Sequence, residues 1–421
     1  MGNSLWRHRD FRLLWAGDTI SQFGASISMV AIPLLAATVL AATPFQMGVL
    51  TAAENAAFLL IGLPAGVWVD RMRRRGLMMT ADFGRAVLLA TIPIAWWLGV
   101  LTLAHVIVAV LLVGVLTVFF DVSYQSYLPS LVGRDKLVEG NSKLQASQSV
   151  AIVSGPALAG WLVQLMSAAG AVVLNAAGFL WSLLCLSRIR TREPEPEKVA
   201  DPSLRRDIAE GLRFVLGNPL LRAITFCTGT SNFFSNMNTA VGVIFLVREI
   251  GVPAGGIGLI FTGFGIGGIL GALSGTWWQR WFGQARTIWL SLLLTQPFLL
   301  LLPLTDAGWR VSLYWVGGVV YGYGAVVYNV AQVSFRQAIC PDRLLGRMNA
   351  SIRFLVWGTI PLGGLTGGAL AEWVGARDTL WVAGIGGIAA VLWVLFSPLR
   401  GMRDIPMADE PASGAPSTTA S

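Results

Sequence analysis

The stretch Gly66–Arg75 reads Gly-Val-Trp-Val-Asp-Arg-Met-Arg-Arg-Arg and separates two long apolar segments of the chain. The segment before it is predicted at Gln46–Val69 and the segment after it at Leu77–Leu98. Lys and Arg concentrate in the cytoplasmic loops of membrane proteins, so the arginines of this stretch indicate which side of a membrane it faces. The single acid, Asp70, is not explained by that rule and needs a second role.

The composition is that of a membrane protein that crosses the bilayer many times. The chain has 421 residues, of which 55% are hydrophobic and 12% charged, whereas soluble domains carry about 25% charged residues. The net charge is +8, but the basic residues lie in short loops between apolar segments. A nucleic-acid-binding surface would gather them on one face, so that class of function is excluded.

The residues used for most enzyme chemistry are scarce. The three cysteines predict no disulfide framework, and two histidines, His8 and His105, leave no His-based metal site. No Gly-Lys-Ser/Thr phosphate loop occurs, so we expect no ATP hydrolysis, no cofactor and no enzymatic activity. The N-terminal arginines precede a segment long enough to span, which predicts a retained first helix instead of a cleaved signal.

Twelve segments approach the 20 or so apolar residues that a spanning helix needs. The sequence therefore predicts an all-α polytopic membrane protein with twelve transmembrane helices in two pseudo-symmetric six-helix halves. The first six segments are Leu13–Leu40, Gln46–Val69, Leu77–Leu98, Leu103–Ser123, Leu144–Met166 and Gly170–Leu186. The second six are Leu220–Val247, Ile257–Trp278, Thr287–Leu304, Val311–Val333, Ile352–Val374 and Leu380–Leu399.

The polar stretches between and after the halves predict four regions. Residues 1–187 form the N-terminal half, 188–219 a cytoplasmic linker, 220–400 the C-terminal half and 401–421 a disordered tail. Within the linker, Leu204, Ile208, Leu212 and Val215 share a helical face, which predicts an amphipathic helix over Leu204–Leu216 on the inner membrane surface.

Charge placement predicts the orientation. Of the 30 Lys and Arg residues, only Arg248, Arg310 and Arg377 fall near segment ends assigned to the outside. An even number of spans then places both termini in the cytoplasm. The expected location is the inner, or cytoplasmic, membrane of the cell.

Three short matches recur in the same order in both halves. Gly66–Arg71 recurs at Gly275–Arg280, Ser21–Phe23 at Ser231–Phe233, and Asp135–Leu137 at Asp342–Leu344, with offsets of 209, 210 and 207 positions. A nearly constant offset indicates duplication of a six-helix unit. Two such halves around a central loop are typical of alternating-access transporters with a site near the midplane.

At this point the sequence resembles the major facilitator superfamily. Gly66-x-x-x-Asp70-Arg71-x-x-Arg74-Arg75 is similar to the family signature between helices two and three. Three further stretches resemble the twelve-helix macrolide-efflux and siderophore-export branch of proton-coupled drug antiporters. They are Phe11–Gly17, Phe120-Asp121 with Leu128–Val132 and Asn141, and Pro341–Asn349.

The resemblance implies that Asp70 helps to close the cytoplasmic side. A carboxylate is stabilised at a helix N-terminus, and the eleventh helix is predicted to begin near Arg353 on the same side, so Asp70 either caps that helix or pairs with Arg353. The alternative is a solvated loop acid. The wider gate prediction adds Asp121, expected to pair with Arg71, Arg74 or Arg75, and the pair Asp82 and Arg85, which share a face of helix three and either bind each other or extend the network.

Two acids are candidates for proton coupling. Asp18 lies on helix one in a stripe with Gln22 and Ser26, and Glu54 lies on helix two. No basic residue is close to either in sequence, and a carboxyl group without a cation in a low-dielectric site can exchange protons near neutrality. The alternatives are solvation of Asp18 or its contact with Arg12, and a water-filled outer vestibule around Glu54.

Polar and aromatic side chains on helices seven, ten and eleven are candidates for the wall of a substrate cavity, together with Gln22 and Ser26. The alternative is that they form hydrogen bonds between helices. The candidates are Asn232, Ser235, Asn236, Tyr321, Tyr328, Gln332 and Trp357.

Two glycine patterns fit helix packing better than ligand binding. Gly263-x-Gly265-x-x-Gly268 matches a dinucleotide fingerprint but lies inside an apolar span, which favours close helix packing. Gly155, Pro156 and Gly160 on helix five are similar to the antiporter signature of the superfamily and predict a kink.

The sequence thus predicts a monomeric secondary transporter, with a small organic substrate, protons and the lipid bilayer as its partners. The expected activity is proton-antiport efflux of a hydrophobic or amphipathic compound such as a drug, a macrolide or a siderophore. One alternative is an importer or uniporter of a small metabolite on the same fold. Another is a membrane sensor or interaction scaffold that transports nothing.

Overall fold

A computed structural model describes residues 5–70, 72–133, 136–191, 204–341 and 344–404. Within the helices, the side chains of residues 63, 66, 67, 70, 126, 138, 204–208, 345 and 346 lie outside this description. The fourteen α-helices of the described residues are α1 (Arg9–Thr38), α2 (Pro44–Asp70), α3 (Arg74–Trp97), α4 (Leu103–Val132), α5 (Leu137–Ser187), α6 (Leu204–Gly217), α7 (Pro219–Ile244), α8 (Ala254–Phe282), α9 (Gln284–Thr295), α10 (Val311–Ile339), α11 (Leu345–Trp357), α12 (Thr359–Val374), α13 (Ala376–Ala389) and α14 (Leu392–Leu395).

These helices make the twelve spans that the sequence predicts, in two six-helix halves. Nine stretches of the described chain are helical, long and apolar enough to cross a membrane, and one of them, Glu139–Ser187, is long enough to cross twice. The remaining two spans are α7, which is rich in polar residues, and α9, which continues as the 3-10 segment Gln296–Leu301.

The long helix α5 contains the fifth and sixth spans in two arms, residues 137–166 and 168–187. They meet at Ser167, whose φ of 73° breaks the helix. The Ser167 hydroxyl accepts a hydrogen bond from the amide of Gly170 at 3.2 Å, as an N-capping serine does, so the break is also the start of the second arm.

Several predicted spans are less regular than the sequence suggests. The eleventh is two helices, α11 and α12, which meet at Gly358, and the twelfth is α13 followed by the four-residue α14. Such breaks occur in membrane proteins where neighbouring helices or side chains bind the freed backbone groups. Near Gly358 the hydroxyl of Thr359 does so, donating to the carbonyl of Val356 in the last turn of α11 at 2.8 Å.

The connections divide the molecule into two sides. The basic side holds the start of α1 and the turns after α2, α4, α8 and α10, and the far side holds the turns after α1, α3 and α12. Exposed tryptophans mark the far rim at Trp97, Trp309 and Trp373, which are 80%, 75% and 90% exposed. Tryptophan at this level is typical of the membrane–water interface.

The two halves share one apolar core on the far side and have separate cores on the basic side. The shared core joins buried residues of both halves, such as Leu35 and Met47 with Ile244 and Ile257. On the basic side, one cluster around Phe11 belongs to the first half and another around Phe335 to the second. The halves are therefore packed together at the far side and apart at the basic side.

Glycines permit the close approach of the halves at the far side. Gly48 on α2 packs against the backbone of Gly368 on α12, and Gly160 on α5 packs against Gly258 on α8. A side chain at these positions would overlap the partner backbone, which is the small-residue packing typical of membrane helices. The glycine pattern on α8 packs in the same way, as predicted, since Gly263 contacts the backbone of α10 at Trp315 and Gly265 contacts that of α5 at Val153.

The predicted amphipathic helix is present as α6. Val215 is fully buried in a cluster with Met348 and Ile352 of α11, and Arg347 of α11 forms an ion pair with Glu210. At this contact the helix packs against α11, a partner that the sequence did not predict. The side chains of Leu204 and Ile208, the linker residues 192–203 and the tail from residue 405 lie outside the described part.

Candidate functional site

A cavity of about 1040 Å³ lies in the first half of the chain. Its described wall comes from α1, α2, α3, α4 and both arms of α5. It extends to the basic side, where the exposed residues Asn141, Ser142 and Gln145 belong to the wall. The charged wall residues are Asp18, Glu54, Arg85 and Asp121.

Arg85 is the buried cation of this wall, with 4% of its surface exposed. It forms an ion pair with Asp82, one helical turn earlier on α3, and its guanidinium lies 4.2 Å from the ring centre of Phe120 and 4.1 Å from that of Phe179. A desolvated guanidinium is stabilised by a carboxylate and by aromatic faces. Of the two alternatives predicted for Asp82 and Arg85, the direct pair is therefore present.

Two further carboxyl groups surround Arg85. Asp18 from α1 and Asp121 from α4 both lie within electrostatic range of its guanidinium, and Asp18 is 7% exposed. Gln22, one turn after Asp18, contacts the Asp18 carboxyl group. The cluster thus places three carboxyl groups around one guanidinium, an excess of negative charge in a poorly solvated place if all of them ionise.

This arrangement changes two expectations from the sequence. Asp18 has no cation near it in sequence, yet the fold brings Arg85 to it. Among the described residues, Arg85 and Arg353 lie within electrostatic range of Asp121, which the sequence did not predict. Arg75, one of the partners predicted for Asp121, donates to the carbonyl oxygens of Leu186 and Ser187 at the end of α5, at 2.9 and 2.7 Å.

Glu54 lies on the same wall, apart from the cluster around Arg85. It is partly exposed, and no cation of the described residues lies within electrostatic range of its carboxyl group. Its helix passes α4 closely at Gly114, next to the backbone of Glu54. Glu54 thus lies on an interior wall, with no counter-ion among the described residues.

Two aromatic wall residues were missed at the sequence level. Phe120 and Tyr124 stack with ring centres 6.0 Å apart, and the buried Tyr124 hydroxyl has no hydrogen-bond partner among the described residues. It lies within electrostatic range of both Asp18 and Asp121. The signal was available, since Tyr124 follows Asp121 by three positions and shares its helix face.

The polar residues predicted for the second half form hydrogen bonds within and between helices in this conformation. The hydroxyls of Tyr328 and Thr228 are 2.6 Å apart, Gln332 donates to Asn329 at 2.9 Å, and Asn236 donates to the carbonyl of Asn232 at 2.9 Å. Asn232 in turn contacts the carbonyl of Val356, and Tyr321 contacts Ser235. The contacts of Tyr328, Asn232 and Tyr321 join helices, as in the alternative, whereas those of Gln332 and Asn236 stay within one helix.

Of the predicted cavity residues, Gln22 belongs to the described wall. Ser26 instead packs against Gly155 of α5, since a side chain there would overlap it. Gly155, Pro156 and Gly160 lie on the α5 face between α1 and α8, so this motif serves contacts within and between the halves. Trp357 meets the wall through Phe58, with ring centres 4.8 Å apart.

Arg353 connects the second half to the charges of the cavity. Its guanidinium lies 4.6 Å from the ring centre of Trp357, and Trp357 contacts the wall residue Phe58. Arg353 is exposed and within electrostatic range of Asp121.

The gate motif Gly66–Arg75 is only partly described. Gly66 and Asp70 belong to α2, but their side chains lie outside the described part. Arg71 lies outside it altogether, and Arg74 begins α3.

Comparisons with known proteins agree with this architecture. The family model described as "Transmembrane secretion effector" matches residues 3–416. The chain is similar to the multidrug efflux pump Tap of Mycolicibacterium fortuitum, 27% identical over 84% of this chain and 87% of the relative. It is also similar to the enterobactin exporter EntS of Shigella dysenteriae serotype 1, 25% identical over 81% of this chain and 80% of the relative.

Solved structures share the fold at low sequence identity. A point mutant of the nucleoside transporter NupG superposes with a TM-score of 0.78 and 12% identity, covering 92% of this chain and 99% of that one. A bacterial homologue of the iron transporter ferroportin, in an inward-facing state, gives 0.68 and 17%, covering 92% and 98%. With twelve spans in two halves and a family match over nearly its whole length, the chain belongs to the transmembrane secretion effector family of the major facilitator superfamily.

Proposed function

We propose that this protein exports a hydrophobic or amphipathic organic compound in exchange for protons. The observation that carries the proposal is the cavity, whose wall combines three carboxyl groups, one guanidinium and aromatic rings. The size of about 1040 Å³ suits an organic molecule of drug size or somewhat larger. The relatives named as an efflux pump and as an exporter support the outward direction.

The basic side faces the cytoplasm in this proposal, and both termini lie there. Positive charge on that side supports the orientation. The halves, residues 1–187 and 220–400, move as two bodies joined by the linker 188–219, with 401–421 as a tail. The separate cores on the basic side support a cytoplasm-facing loading state, and the glycine contacts at Gly48 and Gly160 support a seal on the outer side.

Exchange follows from charge balance in the cavity. Asp18 and Asp121 share Arg85 with Asp82, and Glu54 has no described counter-ion. Ionised carboxylates in such a place are costly, so either protons or a positively charged or hydrogen-bonding substrate must compensate them. If both compete for the same carboxyl groups, binding of the substrate on the cytoplasmic side releases protons. Asp18 and Glu54 are the proposed exchange sites.

Closure of the cytoplasmic side is proposed to use the charges at the ends of α2, α4 and α11. Asp70 ends α2, and α11 begins at Leu345 on the same side. When the halves close there, Asp70 caps α11 or pairs with Arg353. The proximity of Arg353 to Asp121 supports its role as the link from the gate to the cavity.

The direction of substrate-driven proton movement tests the function. An efflux-deficient host producing the protein is first exposed to ethidium, a macrolide and a catecholate siderophore to find a transported compound. Purified protein in liposomes with an internal pH dye is then given that compound. We expect protons to move opposite to the compound.

Each other outcome contradicts the proposal in its own way. Protons moving with the compound would indicate an importer by symport. Transport of the compound without protons would indicate a uniporter. Absence of transport for a broad panel, with folded and correctly inserted protein, would indicate a sensor or scaffold.

A further inference from the structure

A second cavity, of about 580 Å³, lies outside the transport cavity, in the second half of the chain at the basic side. It is a crevice between the start of α7 and the end of the twelfth span. Its wall includes Arg222, Phe226, Leu392, Trp393, Phe396 and Pro398. Nothing in the proposed transport cycle uses it.

The crevice exists because the twelfth span does not end as a regular helix. The helix α13 stops at Ala389, α14 has only four residues, and the backbone turns before Pro398. The side chains this leaves beside α7 are apolar and open to the bilayer, with Leu392 47%, Trp393 49% and Phe396 84% exposed. At this depth such a wall is covered by lipid chains.

The wall is held in place by its own contacts. The rings of Phe226 and Trp393 lie 5.1 Å apart, and the indole N–H of Trp393 donates to the hydroxyl of Thr230 at 3.1 Å. Trp393, which belongs to α14, is thus held against α7 by its contacts with Phe226 and Thr230. A lipid chain would meet a formed groove, which lowers the ordering cost of binding.

The polar end of the crevice carries positive charge. Arg222 is exposed in the first turns of α7, and among the described residues its guanidinium makes a 3.5 Å contact to the carbonyl of Leu216. The N-terminus of α7 adds the positive end of its helix dipole at the same level. The described wall contains no carboxylate, so an anion is favoured here and a cationic head group is not.

We propose that this crevice binds one anionic phospholipid of the leaflet on the basic side. The lipid phosphate lies on Arg222, whose guanidinium matches phosphate geometry, and an acyl chain lies along Phe226, Leu392 and Phe396. The bound lipid bridges α7 to the twelfth span and so supports the irregular end of the second half. The proposal does not depend on substrate or on proton coupling.

Native mass spectrometry of the purified, delipidated protein tests this site. The protein is titrated with phosphatidylglycerol or phosphatidylcholine that carry the same acyl chains. We expect the wild type to retain phosphatidylglycerol more strongly, and Arg222→Gln to lose about tenfold in that affinity, as expected for a hydrogen bond to a charged group. Arg222→Lys retains part of the preference because it keeps the charge.

The matched control is Arg188→Gln, which removes one exposed charge at the basic side of the first half. It should bind phosphatidylglycerol as the wild type does. Equal retention of the two lipids by the wild type, or equal loss in Arg222→Gln and Arg188→Gln, would overturn the proposal. If Arg222→Gln does not fold, Ala389→Phe decides instead, because it fills the crevice and should lower retention of phosphatidylglycerol.

Discussion

Arg85 is the residue on which the charge balance of the transport cavity depends. It is buried between Phe120 and Phe179, pairs with Asp82 and lies within range of Asp18 and Asp121. One cation thus serves three carboxyl groups from three helices. Protonation of one carboxyl group, or binding of a substrate to it, therefore changes the proton affinity of the other two through this shared guanidinium.

Removing the guanidinium should destabilise the protein strongly. In Arg85→Met, Asp82 keeps a fully buried carboxyl group without its cation, and breaking a buried pair in this way costs about 3–5 kcal/mol. The control Arg403→Met breaks an exposed pair with Asp404 and should cost less than about 1 kcal/mol. Unfolding free energies in mixed micelles measure both.

The double variant Asp82→Asn/Arg85→Met should recover part of the loss, since no buried charge of that pair then remains unpaired. A loss in Arg85→Met no larger than that in Arg403→Met would contradict a structural role for the guanidinium.

Contacts between residues close in sequence could be predicted, and contacts between residues on different helices could not. The pair Asp82 and Arg85 could be predicted because a spacing of three puts both on one helix face. The approach of Asp18 to Arg85 could not, because it depends on how α1 packs beside α3 through α5. For the same reason Asp121 was assigned to nearby arginines in the loop, and its approach to Arg85 and Arg353 was not predicted.

Several spans are broken at positions that their apolar length does not reveal. The fifth and sixth spans are the two arms of α5, and the helix breaks at Ser167, between the predicted segments that end at Met166 and begin at Gly170. The break at Gly358 divides the eleventh span into α11, which carries Arg353 and Trp357, and α12, which packs against α2 at the far side. Apolar length predicts that a span exists, but local breaks depend on partners that only the packed bundle supplies.

The proposed contact of Asp70, at the end of α2, with the start of α11 or with Arg353 is called the latch here, and a substitution of Asp70 tests it. Asp70→Asn should impair transport while leaving folding and insertion largely intact, because the carboxylate is needed only when the basic side closes. Turnover in vesicles and thermal unfolding of the purified variant measure the two properties. Asp404→Asn, an exposed acid at the same side, is the control and should transport normally.

Normal turnover in Asp70→Asn would leave the arginine-rich stretch as a topology signal alone. The repeat of this stretch, Gly275–Arg280, has Gln279 in the place of the acid, so a latch of this kind has its carboxylate only in the first half.

The whole molecule is asymmetric in chemistry although its two halves share a fold. The described cavity wall, with all its charges, belongs to the first half, and polar residues of α7 form hydrogen bonds to α10 and α11 in the second half. Length, hydrophobicity and the repeated motifs were enough to predict twelve spans in two halves. The location of the cavity was not predictable, because its wall combines residues from five helices that are distant in sequence.

The central claim is that carboxyl groups of this cavity exchange protons for the substrate, and the measurement that tests it most directly is proton-driven uptake in inverted vesicles. Wild type, Asp18→Asn, Glu54→Gln and the double variant are compared, with Asp306→Asn, an exposed acid at the far side, as the control. We predict that at least one of the two single variants and the double variant lose uptake driven by the pH gradient, while the control keeps it. Full coupled uptake in both single variants and in the double variant would contradict the account.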